Sequence, residues 1–186
     1  MVPGANGGRY RAGMRLVAWL FTATLSVILM LQLRGLDAPL HTPATPWGIV
    51  GFELAFTAAR AQAMIDAWRA VDAIETARVG LGVDMGFLLA YPWFFRLSIG
   101  LLRRPSTAEA MDRLGAGLAR AILACIPLDA IENLALWQQV SHEASPGLAA
   151  LAGVMATLKF VLVLLAAAWC LAELGQQLRA RLRPAQ

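Results

Sequence analysis

Six residues have side chains whose types and spacing could do chemistry: Glu53, Asp84, Asp129, Glu132, Asn133 and Lys159. Asp129, Glu132 and Asn133 follow an i, i+3, i+4 spacing within the apolar stretch from Ile122 to Trp137, so a helix carries all three on one face. Ionisable groups are expensive in hydrocarbon and turn toward a bundle interior or a water-filled cavity. Lys159, the only lysine of the chain, lies in the middle of the next apolar stretch. Carboxylates beside an ammonium could hold a proton or cation. Carboxyl groups in unlike surroundings could also divide acid and base work between them.

These residues need helices that cross a bilayer. Of the 186 residues, 59% are apolar and the mean hydropathy is +0.60, above the range of soluble domains. Four segments are long and apolar enough to span, at about residues 15–34, 80–102, 114–140 and 148–174. The first is too long for the core of a cleaved signal peptide and lacks a clean cleavage site, so it reads as a retained span after a disordered Gly-rich tail. Between spans one and two, residues 46–79 read as an amphipathic helix on the outer interface, continuous or broken in two. Thr45 and Pro46 suit its N-cap and first position, and Met64, Ala67, Val71 and Ile74 its apolar stripe. The expected fold is all-α: a single membrane domain, a four-helix bundle plus that interfacial helix. Gly82, Gly86 and Ala90 form a small-xxx-small ladder for close packing of the second span.

At 1.5 Å per residue, Asp129 and Lys159 both fall about 18 Å below the outer boundary on consecutive antiparallel helices. Glu132 and Asn133 lie about 12–14 Å down and Asp84 about 6 Å. Glu53 could cap this graded series, with Arg60 seven residues on along the same face. Asn133 could donate to either carboxylate. Arg96 and Arg120 are read as snorkelling away from the site, and Tyr91 as packing.

The net charge of +4 does not signal nucleic-acid binding, because the arginines flank apolar segments instead of forming a soluble basic face. Arg9, Arg11, Arg15, Arg103, Arg104, Arg113, Arg179, Arg181 and Arg183 gather on one side, which places both termini in the cytoplasm. Trp19 and Trp169 fall at the inner boundary, Trp47 and Trp137 at the outer, as in an aromatic belt. Cys125 and Cys170 fall at different depths, without metal-ligand spacing, and read as small apolar residues. His41 and His142 fall in loops.

The segments Trp47–Ala55 (with Phe-Glu-Leu-Ala), Leu81-Gly-Val-Asp84 with Tyr91, Leu128-Asp-Ala-Ile-Glu-Asn-Leu134 and Leu158-Lys-Phe160 resemble an uncharacterised group of small bacterial four-span membrane proteins. The resemblance covers roughly residues 44–165. It implies a shared architecture and no activity.

Three readings stay open for the site. The first is binding or passage of a small cation or proton by Glu53, Asp84, Asp129, Glu132, Asn133 and Lys159. Oxygen ligands, with Asp84, Asp129 and Glu132 as the metal-facing set, would suit Mg²⁺, Ca²⁺ or Mn²⁺ over Zn²⁺. Four spans leave little room for a pore, so passage would call for a homo-oligomer. The second is a membrane-embedded enzyme acting on a lipid or isoprenoid, although no nucleophile triad, HExxH motif or phosphate-cradling loop is present. The third is an accessory subunit whose polar groups only hold helices together, at about 0.6 kcal/mol per contact. Convergence of six such groups toward one side favours a functional site over glue.

Overall fold

The computed structural model describes residues 6–103 and 108–182. Among the described residues seven α-helices follow in order: α1 (Asn6–Asp37), α2 (Gly48–Glu53), α3 (Ala58–Ala70), α4 (Ile74–Leu102), α5 (Glu109–Ala121), α6 (Cys125–Ser141) and α7 (Pro146–Leu182). Short 3-10 turns at Ala38–Leu40 and Ile122–Ala124 interrupt them. α1, α4, the α5–α6 unit and α7 are each long and apolar enough to cross a membrane, and the chain is a multi-pass, all-α membrane protein. Helix begins at Asn6, so the expected tail is helical over its second half. Residues 1–5, Arg104 and Pro105 at the end of the second span, and Arg183 lie outside the described residues.

The expected interfacial segment divides at two residues with positive φ, Phe56 (57°) and Asp72 (55°). α3 starts at Thr57, whose hydroxyl accepts the Arg60 amide at 3.4 Å. It ends in a Schellman arrangement: the Ala73 amide bonds Trp68 O at 2.8 Å and the Asp72 amide bonds Arg69 O at 3.2 Å. From Ile74 onward the chain already belongs to the second span. The buried face of α3 is Ala61, Met64, Ile65 and Trp68; Val71, expected on that stripe, is exposed. Trp68 packs edge-on against Phe52 and donates to Leu40 O at 2.9 Å. Thr45 is no N-cap either. It is buried and donates to Leu40 O, knitting the loop that α3 covers.

α2 begins at Gly48, where φ is +52° and a Cβ would run into the Asp37 carboxylate. Only glycine meets both conditions without strain. The same carboxylate accepts the Ile49 amide at 2.7 Å, so Asp37, at the end of α1, caps α2 from twelve residues away. This double constraint aims α2, and Glu53 at its end, into the bundle.

The third span has its own break. Pro127 has no N–H to offer Leu123 O, and the helix narrows to 3-10 geometry just before it. After this turn α6 buries Cys125, Asp129, Glu132, Asn133, Leu136 and Val140 along one stripe. α6 packs chiefly on α7 and α4, whereas α1 packs almost entirely on α4 and leaves Val17, Phe21, Val27 and Leu31 exposed.

The expected small-residue ladder does not bring helices together. A Cβ at Gly82 would meet open space, and one at Gly86 only ordinary contact with Leu29. The close approaches are at Gly115 against the Trp169 ring and Gly153 against the Phe56 ring. Trp47 and Trp137 are exposed, and the other two tryptophans of the expected belt have partners inside the bundle. Trp169 is buried and donates to Met111 O at 3.1 Å, and Trp19 donates to Ser98 at 2.8 Å.

Candidate functional site

α6 and α7 place Asp129 and Lys159 at one level, as their helix positions require. Lys159 Nζ donates to Asp129 Oδ1 at 2.9 Å and to Glu132 Oε1 at 2.9 Å. Glu53 Oε2, brought in by α2, lies 3.8 Å from the same ammonium. Asp129 and Glu132 are about fully buried, Lys159 is 6% exposed and Glu53 7%. The second Asp129 oxygen accepts the Tyr91 hydroxyl at 3.0 Å. Asn133 donates to Asp84 Oδ2 at 2.7 Å. All six expected residues therefore meet, and Tyr91, expected only to pack, joins them.

Several polar atoms in this cluster are left over. Glu53 Oε2, Glu132 Oε2 and Asn133 Oδ1 are buried and have no hydrogen-bond partner. Asp84 bonds Asn133 but has no cation within ion-pair distance among the described residues. Burial is the main force on Glu53, and it pushes the carboxyl up to about 7 from an ordinary 4.5. Lys159 pulls it down, and the negative charges of Asp84 and Asp129 push it further up.

Asp84, Asp129 and Glu132 do not form a metal-ligand set, and no other group of the described residues does. The reason is their prior engagement: Asp129 and Glu132 both face the Lys159 ammonium, and Asp84 faces the Asn133 amide. Arg60 does not reach the site, because the turn at Phe56 throws it onto the exposed face of α3. Arg96 is half-buried and donates to Ala119 O at 2.7 Å, tying α4 to α5.

A cavity of about 510 Å³ adjoins the cluster. Glu53, Asp84, Tyr91, Asp129, Asn133 and Lys159 line its polar end. Its remaining walls are mostly apolar, with Met30 and Leu33 from α1, Phe87 and Phe95 from α4, and Phe160 and Val163 from α7. Arg34 and Asp37 border it where α1 ends. Helical period alone could not reveal this space, since it depends on α1 standing off from α7. No family model, curated protein or solved structure matches the chain.

Proposed function

We propose that the cluster around Lys159 is a site that takes up and releases a proton within the bilayer, reached through the adjoining cavity. The observation that carries this reading is the imbalance of charge: four buried or half-buried carboxyl groups against one ammonium. A low-dielectric interior does not hold so many like charges uncompensated. A proton on Glu53 or Glu132 would remove one charge and give the two orphaned oxygens a bond to each other. Lys159 then serves as the fixed internal counter-charge, and Tyr91 and Asn133 steady Asp129 and Asp84. A small monovalent cation in the same place would satisfy the same imbalance. The poor fit of the donor set to a metal favours the proton.

The basic flanks support both termini in the cytoplasm and the resemblance supports a bacterial inner membrane, so the cluster would face the outer half of the bilayer. A difference titration tests the site. Purified protein and the Glu53→Gln variant are titrated side by side around neutral pH. The native protein is expected to release about one proton more than the variant near the value set by burial of Glu53. Superimposable titrations would overturn the reading.

A further inference from the structure

The cavity has a polar and an apolar part to its lining, and together they specify a ligand. At the polar end Asn133 Oδ1, on a residue 1% exposed, is an acceptor without a donor, and Glu53 Oε2 is another. Asp84 stands beside them without a cationic partner among the described residues. Three residues of the cavity lining thus carry acceptors, two of them on carboxylates, and the free oxygens of Glu53 and Asn133 are themselves covered. The apolar part of the wall includes Met30, Leu33, Phe87, Phe95, Phe160 and Val163. Its volume is within the roughly 300–1,000 Å³ usual for small-molecule sites.

We propose that this cavity binds an amphiphile with a primary ammonium head and an apolar tail, the head seated among Asp84, Glu53 and Asn133 and the tail lying between α1 and α7. A primary ammonium supplies three N–H donors, and the site offers three acceptors. Its charge offsets that of Asp84, which one proton on the Glu53–Glu132 pair would leave uncompensated. A neutral head would leave Asp84 uncompensated, and an anionic head would meet more carboxyl groups (Asp37, Glu53, Asp84 and Asp129) than cations (Arg34 and Lys159) in the same lining. α1 makes few contacts beyond α4, so a tail can enter from the lipid between α1 and α7. This goes beyond the proton site: it rests on the cavity and on the unpaired acceptors, and holds whether or not Glu53 titrates.

The ligand could be a single-chain amine or the ethanolamine head of a phospholipid, and both carry the required chemistry. Full-length protein in a non-ionic detergent is melted with dodecylamine, dodecyltrimethylammonium or dodecanol, and native mass spectra are recorded after exposure to phosphatidylethanolamine. Dodecylamine is expected to raise Tm in a saturable way, well above the quaternary amine, with no shift from dodecanol. Asp84→Asn should reduce the amine's apparent affinity at least tenfold. Val163→Trp, which fills the tail end and leaves the carboxylates alone, should do the same. Phosphatidylethanolamine retained one-to-one by native protein and lost by Asp84→Asn would identify a lipid as the source. Its absence alongside amine binding would identify a free amine. Equal shifts from amine and dodecanol, or amine shifts unchanged in both variants, would overturn the proposal. If amine binding is absent while the Glu53 proton is still seen, only this inference falls. If the amine binds and no proton is found, only the proton site falls.

Discussion

On the α7 side of the polar cluster, Lys159 has oxygens of Asp129 and Glu132 at hydrogen-bond distance and Glu53 a little beyond. On the α4 side, Asp84 has one amide and a cavity. The two sides share α6, which carries Asp129 and Glu132 to one and Asn133 to the other, yet one is closed on itself and the other is open. A closed ion cluster fixes helix positions and resists change. An open one leaves polar atoms available to something that comes and goes. The difference teaches that buried charge serves two ends here, with Lys159 holding the bundle so that Asp84, Glu53 and Asn133 can be offered to the cavity.

The contrast can be broken most severely at Lys159. Lys159→Met strands the carboxyl groups it holds, and breaking such a buried cluster should cost on the order of 3–5 kcal/mol. Adding Asp129→Asn should recover part of that loss in thermal melts. Losses that simply add would show that the closed side is not a coupled unit. Next comes the device that aims Glu53. Gly48→Ala meets both a left-handed φ and the Asp37 carboxylate, and should cost about 1–3 kcal/mol. An unchanged melting temperature would mean that α2 is free to shift.

A smaller effect is expected from pH. Glu53 has a folded-state value raised above its unfolded one, so its contribution is fully present below about 4.5 and is lost as pH rises through about 7. Stability measured by denaturation should fall across that window, and Glu53→Gln should flatten the slope. The smallest effect belongs to the open side. Asp84→Asn keeps an acceptor for Asn133 and should change stability by no more than about 0.6 kcal/mol, the scale of one polar contact in a bilayer. A loss as large as that of Lys159→Met would erase the distinction between the two sides.

Much of this was legible in the residues because helix geometry is so regular. The i, i+3, i+4 spacing put Asp129, Glu132 and Asn133 on one buried stripe, and equal depth brought Lys159 to it. Four spans followed from length and hydropathy. What stayed hidden depends on irregular backbone. Phe56 and Asp72 break the segment between spans one and two without the glycine or proline that usually marks a break. The turn at Ile122–Ala124 follows from Pro127, but its effect on helix direction has no sequence signature. The glycines at close approach, Gly115 and Gly153, sit in small-xxx-small pairs of their own, with Ala119 and Ala149, and spacing alone does not rank these above the Gly82, Gly86 and Ala90 ladder. Tyr91 looked like packing because its hydroxyl partner is 38 residues away.

Infrared difference spectroscopy of the carboxyl carbonyl stretch reads the proton itself. At pH near 6 the native protein should show a band from a protonated, buried carboxylic acid that shifts in heavy water and fades as pH rises past about 7. Glu53→Gln should remove or displace that band, while Asp84→Asn should leave one in place. A native protein with no protonated carboxyl band, at a pH where the ordinary carboxylates are ionised, would contradict the account.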